Sequence, residues 1–182
     1  MKKCASILFV IYLLISINIT AQKQNIDSVL SFVELKNIHK VDAGVYRGSQ
    51  PDDKTFKQLE NTSIKEILNL RRYNSDNDEA KNTTLKLHHV KMRAEAINED
   101  HLLNALKIIK NRDGDILIHC WHGSDRTGAV VAMYRIIYQN WTKEEAINEL
   151  KNGGYGYHGI YRNIPKLINK IDIEEFKKKL EE

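Results

Sequence analysis

Cysteine is nearly absent from this chain, which contains two cysteines among 182 residues. Cys4 lies at the very start, and Cys120 lies far along the chain. If the amino terminus is removed on export, as the next paragraphs predict, one cysteine remains and internal disulfide bonds are excluded. A lone thiol in an oxidising compartment is a hazard unless it has a function. The scarcity of cysteine therefore points to Cys120 as a functional residue.

A strong charge imbalance, internal repeats and low-complexity segments are also absent. The chain has 28 basic and 24 acidic side chains, and without residues 1–21 the net charge falls to +2 because two lysines are lost. That value is too small to indicate binding to nucleic acid or to a membrane. His88 and His89 are adjacent but have no further histidine or cysteine at a metal-ligand spacing. We therefore expect neither a metal nor another cofactor.

The chain has no apolar run as long as the roughly 20 residues that a membrane span needs. Its longest run, Ile7–Ile19, follows two lysines and precedes Ala21, which is a small residue suited to the last position before cleavage. This pattern predicts a secretory signal peptide over residues 1–21 and a mature protein that starts at Gln22. The protein is then exported, either periplasmic or secreted. An uncleaved membrane anchor is the alternative.

The pattern of apolar residues predicts strands that alternate with helices, followed by helices alone. Residues 22–40 are a polar extension with a weak helical pattern, and residues 41–182 are one domain. The predicted strands cover 44–48, 64–70, 85–92 and 116–120; the predicted helices start at Pro51 and cover 97–110, 127–139, 142–151, 160–171 and 174–182. Such alternation is typical of an α/β domain with a central, mostly parallel sheet flanked by helices.

The most informative segment is His119–Gly128, which follows a predicted buried strand and leads into a predicted helix. A loop in that position directs backbone N–H groups and the positive end of the helix dipole at one point, where a phosphate group can bind. The same field favours the thiolate form of Cys120. Arg126 has a planar guanidinium that can hold two phosphate oxygens. The segment therefore indicates cysteine-dependent phosphoester chemistry.

This segment resembles the signature of the protein tyrosine phosphatase superfamily, in particular its dual-specificity branch. The resemblance covers roughly residues 40–172 and implies the compact dual-specificity phosphatase fold. It implies that Cys120 is the nucleophile of a phosphocysteine intermediate and that Arg126 binds the phosphate and stabilises the transition state. It also implies that Thr127 helps to release the thiolate, and that His119 orients the loop and tunes Cys120.

We expect the remaining loop residues to contact the substrate. The predicted substrate-binding residues of the loop are Trp121, His122, Gly123, Ser124, Asp125 and Arg126. Arg47, at the end of the first predicted strand, is expected to reach a second phosphate, with a surface salt bridge as the alternative. Arg71 and Arg72 follow the next strand at the same edge of the sheet, so one of them is expected to face the pocket.

The reaction also needs an acid that protonates the leaving oxygen. The family usually has an aspartate upstream of the catalytic strand, and the aligned position here holds Glu95, our first candidate. The second candidate is Asp125, because the order Asp-Arg-Thr resembles the loops of phosphoinositide phosphatases such as the myotubularins. The alternative role of Asp125 is to bond the backbone or a neighbouring arginine or histidine. Glu99 and Asp100 are expected to be partners of a helix dipole.

The sequence thus predicts an exported, metal-independent cysteine phosphatase. Phosphotyrosine-containing and other phosphorylated proteins are the first substrate class, and phosphoinositides or soluble inositol phosphates are the alternative, suggested by Asp125 and the surrounding basic residues. Neither nucleic acid nor, after signal cleavage, a membrane span is expected. A pseudophosphatase that binds phosphorylated partners without turnover is a rival, supported only by the missing upstream aspartate. A rhodanese-like sulfurtransferase is disfavoured by the Arg-Thr-Gly ending.

Overall fold

A five-stranded sheet lies at the centre of the computed structural model, which describes residues 33–182. The predicted signal peptide and most of the predicted polar extension lie outside the described residues. The strands are β1 (His39–Asp42), β2 (Val45–Gly48), β3 (Ile64–Asn69), β4 (Lys86–His89) and β5 (Asp115–His119), in the spatial order β1-β2-β5-β3-β4. Only β1 is antiparallel to its neighbour in this sheet. The predicted class, a mostly parallel α/β sheet, is confirmed.

Helices cover the sheet and form the second half of the domain. They are α1 (Asp53–Glu60), α2 (Glu99–Lys110), α3 (Asp125–Gln139), α4 (Lys143–Asn152), α5 (Asn163–Lys170) and α6 (Ile173–Glu181). Each predicted helix is present. The predicted start of α1 at Pro51 is wrong by two residues, because the carboxylate of Asp52 caps the helix by accepting a hydrogen bond from Thr55 N at 2.8 Å. Within residues 33–182, no helix has the length and apolar character that crossing a membrane requires.

The core forms between the middle of the sheet and α3. β5 has neighbours on both sides, and Ile116, Leu117 and Ile118 are completely buried. Strands buried on both faces show continuous apolar runs rather than alternation, so this triplet identifies a central strand. α3 is apolar on most of its faces because the sheet, α2, α4 and α5 all pack against it. The strand and helix that flank the loop are therefore the best-buried parts of the domain.

One strand of the sheet is not predicted by the sequence pattern. β1 pairs with β2 from His39 onward, and the described part of the predicted helical extension, 33–40, contains a turn and the start of this strand instead of a helix. Three of its four residues are polar and it lies at the edge of the sheet. A short edge strand with one buried residue carries almost no periodic signal.

The parallel register aligns the carboxyl ends of three strands. His119 at the end of β5 lies beside Gly48 of β2 on one side and beside Asn69 of β3 on the other. The segments that follow these strands therefore emerge at one edge of the sheet. Open α/β sheets bind ligands at that edge.

Candidate active site

Cys120 lies at the aligned edge, directly after β5, and its side chain is buried. The loop runs from Cys120 to Ser124, and α3 begins at Asp125, two residues earlier than predicted. Arg126 consequently lies in the first helical turn and is half-buried. The nucleophile candidate and the positive end of the α3 dipole thus meet at one place, which is the arrangement that the sequence predicted.

A buried arginine supports this loop from below. Arg47 is 2% exposed, and its Nη2 donates a hydrogen bond to the Gly123 carbonyl at 2.9 Å. Its guanidinium also stacks on the Tyr155 ring, 3.7 Å from the centroid. Burial lowers the pKa of Arg47 to about 10, which leaves it charged at neutral pH. The expectation that Arg47 reaches a second substrate phosphate is not matched by this position, because the guanidinium is enclosed beneath the loop.

Gly123 lets the loop approach the neighbouring strand. Its φ is +74°, and a Cβ atom there would lie 2.4 Å from the backbone oxygen of Gly48. Both the backbone conformation and the close contact exclude a side chain. The requirement for glycine at position 123 thus has a steric basis in β2.

Three buried donors in or beneath the loop have no hydrogen-bond partner within the part of the chain that the structure describes. They are Nε of Arg47, Nε of Arg126 and Oγ1 of Thr127. Buried donors are nearly always paired, because an unpaired one loses its hydration without compensation. Donors of this kind beside a cysteine suit an oxyanion and a sulfur atom as their partners. The arrangement fits a bound phosphate group.

The cleft above Arg126 is strongly basic. It has a volume of about 310 Å³, and four arginines line it against one carboxylate, that of Glu95. Two of the arginines stack on aromatic rings, Arg71 on Trp121 and Arg72 on Tyr73. The complete lining is Arg71, Arg72, Tyr73, Asn74, Arg93, Ala94, Glu95, Trp121, Arg126 and Tyr161. The expectation that Arg71 or Arg72 faces the pocket holds for both.

Glu95, the first acid candidate, lies on this cleft. It belongs to a short 3-10 helix (Ala94–Ala96), and half of its side chain is exposed. A hydrogen bond from its own backbone N–H lowers the pKa of Glu95, and the nearby Arg93 and Arg126 lower it further. Arg93 also pairs directly with the carboxylate. Glu95 therefore carries a negative charge at neutral pH before a substrate arrives.

Asp125, the second acid candidate, is held by a histidine. Its two carboxylate oxygens accept hydrogen bonds at 2.8 Å from the backbone N–H and from Nδ1 of His158. These bonds attach the first turn of α3 to the glycine-rich turn after α4. Both oxygens are occupied, and Asp125 does not line the basic cleft. This is the alternative role predicted for Asp125, a hydrogen-bond partner of the backbone and a histidine.

The other loop residues divide between the surface and the interior. Trp121 lines the cleft and is half-exposed, and His122 lines a second depression to which Trp121 also contributes. The carbonyl of His122 accepts a hydrogen bond from Asn37, so that loop position is fixed through its backbone. Ser124 is buried, and its carbonyl accepts the hydrogen bond from Gly128 N that opens α3.

A carboxylate that the sequence did not single out lies behind the loop. Asp76 is buried, and its Oδ2 lies 2.9 Å from Nε2 of His119, which is fully buried. Burial by itself raises the pKa of Asp76, but hydrogen bonds from His119 and Gln50 outweigh it and leave the pKa lowered. Asp76 lies in a polar loop with no periodic or motif signal, so only the folded chain brings it to His119. Among residues 33–182, no three acidic, histidine or cysteine side chains are grouped to hold a metal.

Comparison with known proteins gives the same family for most of the chain. A family model described as "Tyrosine phosphatase family" matches residues 32–181. Dual specificity protein phosphatase TpbA of Pseudomonas aeruginosa is 26% identical over 142 residues, and the match covers 76% of this chain and 64% of that protein. Inositol diphosphatase DSP3 of Arabidopsis thaliana is 30% identical over 149 residues, with coverage of 76% and 73%.

Solved structures agree with the fold. A crystal structure of P. aeruginosa TpbA in complex with pTyr superposes with a TM-score of 0.72 at 23% identity, covering 80% of this chain and 90% of that one. The core catalytic domain of the PP-IP phosphatase SIW14 from S. cerevisiae, in complex with citrate, gives a TM-score of 0.69 at 29% identity, with coverage of 81% and 93%.

The close contact at Gly123 leads to a testable expectation. Gly123→Ala should lower the free energy of unfolding by about 2 kcal/mol or more and should weaken tungstate binding, because the loop has to move away from Gly48. Gly154→Ala is the matched control, since Gly154 has a φ of +82° but nothing within 4 Å of a Cβ. It should cost about 1 kcal/mol and leave anion binding unchanged. Urea denaturation and calorimetry measure both effects; equal behaviour of the two variants would contradict the steric explanation.

Proposed function

The chain belongs to the tyrosine phosphatase family, and from that membership we propose that it hydrolyses phosphate monoesters through a phosphocysteine intermediate. The observation that carries the proposal is the placement of Cys120 at the start of α3 together with the unpaired, buried Nε of Arg126. A phosphate bound there has its oxygens facing the loop N–H groups and the guanidinium. Catalysis then consists mainly of positioning and of stabilising charge in the transition state.

In the first step, the Cys120 thiolate attacks phosphorus and a P–S bond forms while the bond to the ester oxygen breaks. The leaving oxygen takes a proton from an acid. In the second step, a water molecule attacks phosphorus and loses a proton to the conjugate base. The P–S bond breaks and the electron pair returns to sulfur, which the Thr127 hydroxyl stabilises as a hydrogen-bond donor. Free phosphate leaves, and the thiolate is restored.

The central test is phosphate release by residues 22–182 in the presence of a chelator. Cys120→Ser should reduce turnover of an aryl phosphate at least about 10³-fold, because a hydroxyl is a far weaker nucleophile than a thiolate. Arg126→Lys should reduce it about 10²-fold or more, because an ammonium cannot make the paired hydrogen bonds of a guanidinium.

Arg112→Lys provides a control for the arginine change. Arg112 donates to two backbone carbonyls away from the cleft, so this substitution should leave turnover within about twofold of the wild-type rate. Full activity in Cys120→Ser would refute the mechanism. A folded, reduced wild-type protein that binds phosphorylated ligands without turnover would favour the pseudophosphatase.

We assign the proton transfer to Glu95. Of the two candidates, Glu95 lines the cleft with Arg126, whereas both oxygens of Asp125 are occupied by His158. The lowered pKa of Glu95 means that its protonated fraction falls as the pH rises above the acidic range. Substrates with a poor leaving group depend on the protonated fraction of Glu95, since the ester oxygen of an alkyl phosphate leaves only when it takes up a proton.

For an alkyl phosphate, kcat/KM should therefore fall as the pH rises from 5 to 8. Glu95→Gln should remove this pH dependence and slow the alkyl phosphate about tenfold more than an aryl phosphate, because a phenolate leaves without a proton. Asp100→Asn, an exposed carboxylate in the first turn of α2, is the control and should change neither rate. Equal losses on both substrates in Glu95→Gln would count against the assignment.

Phosphorylated proteins, with phosphotyrosine first, are the substrate class that we propose. TpbA, a dual specificity protein phosphatase with a structure in complex with pTyr, supports this class. The cleft also has aromatic walls, Trp121 and Tyr73, against which a phenyl ring can pack.

Inositol phosphates are the second candidate class, and the charge of the cleft favours them. Four arginines around one carboxylate are more cations than a single phosphate requires, and Arg72 is exposed at the rim. DSP3 is an inositol diphosphatase and SIW14 a PP-IP phosphatase. A ligand that carries several phosphates would engage the rim arginines as well as the loop.

One substitution distinguishes phosphorylated proteins from inositol phosphates as the substrate class. Arg72→Gln should raise KM about fivefold for an inositol polyphosphate but less than twofold for an aryl phosphate, if several phosphates bind at once. Arg162→Gln, an exposed arginine in a different depression, is the control and should alter neither KM. Steady-state phosphate release measures both values, beside phosphotyrosine and phosphoserine peptides. A higher kcat/KM for the peptides, with no selective effect of Arg72→Gln, would exclude the second class.

We also propose that the protein is exported through a signal peptide over residues 1–21. The two lysines, the apolar run Ile7–Ile19 and the small Ala21 support this proposal. Mass spectrometry of the protein recovered from the periplasm or medium tests it, with a mature terminus expected at Gln22. An intact terminus in the membrane fraction would instead indicate an anchor.

A further inference from the structure

A buried acid–histidine pair lies directly behind the nucleophile. His119 is fully buried, and its two ring nitrogens face two acceptors: Nε2 lies 2.9 Å from Oδ2 of Asp76, and Nδ1 lies 3.2 Å from the Cys120 carbonyl. The other carboxylate oxygen of Asp76 accepts hydrogen bonds from Gln50 Nε2 and Asn69 Nδ2, at 2.9 and 3.0 Å. Asp76 is therefore a buried carboxylate with three donors around it.

Either ring nitrogen of His119 can donate or accept, depending on the tautomer, so the chemistry of the two partners decides where hydrogens are needed. A carbonyl only accepts hydrogen bonds, so Nδ1 must carry a hydrogen to bond it. An ionised carboxylate also only accepts, so Nε2 must carry a hydrogen as well. The donors around Asp76 stabilise its ionised form and lower its pKa. With Asp76 ionised and both bonds made, His119 is an imidazolium.

We propose that Asp76 is a positioning residue of the reaction, which keeps His119 doubly protonated so that the imidazolium holds the Cys120 backbone and favours the Cys120 thiolate. The inference rests on the proposed phosphatase function for its catalytic meaning, but the thiolate itself can be measured without turnover. Asp76 touches neither substrate nor the reacting atoms, and it acts through His119.

Other charged groups around Cys120 come from different elements. Arg47 from β2 and Arg71 after β3 both interact electrostatically with Cys120, and Arg126 lies in the first turn of α3. Burial lowers the pKa of Arg47 and of Arg71, yet Arg47 at about 10 stays charged at neutral pH. His89, whose Nε2 contacts the Arg71 carbonyl, is the titratable group on β4 that also interacts with Asp76. The charge of the arginines is constant between pH 5 and 8, so a change in the alkylation profile of Cys120 in that range does not come from them.

The pair is also connected to the cleft. Arg71 donates from Nη1 to Gln50 Oε1 at 2.8 Å, and Gln50 donates from Nε2 to Asp76. Arg71 lines the cleft, so one chain of hydrogen bonds runs from the cleft wall through Gln50, Asp76 and His119 to the Cys120 carbonyl. All the donors in this chain point towards acceptors that are consistent with an ionised Asp76.

Asp76→Asn tests the proposal because it keeps the shape and removes the charge. The amide donates to Nε2, so His119 becomes neutral while its Nδ1–H still bonds the Cys120 carbonyl. Iodoacetamide alkylation of Cys120 between pH 4 and 9 measures the thiolate. The midpoint of the alkylation profile should rise by about one pH unit, with about a tenfold lower rate at pH 6. kcat/KM for an aryl phosphate should fall about tenfold at pH 6 and recover towards pH 8.

The chain offers a matched control in Glu66, a second buried carboxylate paired with a histidine. Glu66 lies 2.6 Å from His88 and accepts hydrogen bonds from Asp113 N and Gly114 N, which lie before β5 rather than after it. Glu66→Gln should reduce the free energy of unfolding, as Asp76→Asn does, and leave the alkylation profile unchanged. In a His119→Gln background, Asp76→Asn should change the alkylation rate less than twofold, because the histidine through which Asp76 acts is absent.

Two measurements keep the proposal falsifiable even if a variant folds poorly. In wild-type protein at pH 8, long-range nitrogen–proton NMR should show both ring nitrogens of His119 carrying protons; a single protonated nitrogen would overturn the proposal. An unchanged alkylation profile in a folded Asp76→Asn variant would overturn it as well. If wild-type protein shows the expected Cys120 alkylation profile but no turnover, the proposed phosphatase function fails instead. The two failures are therefore distinguishable.

Discussion

The hydrogen bond from Arg47 to the Gly123 carbonyl is the contact on which the shape of the anion-binding loop depends. A peptide group is planar, with its C=O and N–H pointing in opposite directions. Because the Gly123 carbonyl points to Arg47, the following N–H, that of Ser124, points away from Arg47. Only glycine permits this, because of its positive φ and its contact with Gly48. A buried cation below the loop thus fixes a backbone conformation on which the proposed phosphate binding depends.

The second constraint is the repulsion between carboxylates near the loop and a phosphate group, and histidines that pair with those carboxylates reduce it. A carboxylate beside a bound phosphate is unfavourable unless it is paired. Asp76 and Asp125 flank the two ends of the loop, and each is paired with a histidine, His119 or His158. Asp76 and Asp125 consequently make no direct ion pair with the arginines of the cleft. Arg71 is instead positioned by a neutral partner, Gln50. Glu95 is the exception, since it pairs with Arg93 at the cleft itself.

Much of the architecture follows from local patterns. The buried triplet of β5 and the apolar α3 are both visible in the sequence, because each depends on residues a few positions apart. The 3-10 helix at Ala94–Ala96 and the polar edge strand β1 are not visible, because a short element with few buried residues leaves no periodicity. The mostly parallel sheet could be predicted from the alternation of strands and helices, whereas the strand order could not.

The sequence by itself determined which segment the proposed chemistry depends on, since Cys120, Arg126 and the loop that joins them lie within His119–Gly128. Only the tertiary structure decided what supports that chemistry. Arg47 lies 76 residues from the carbonyl that it holds, and Asp76 lies 43 residues from His119. The assignment of proton transfer to Glu95 rather than Asp125 likewise depends on the hydrogen bonds that His158 donates to Asp125. These contacts join different strand ends, and the parallel register that aligns those ends exists only in the folded chain.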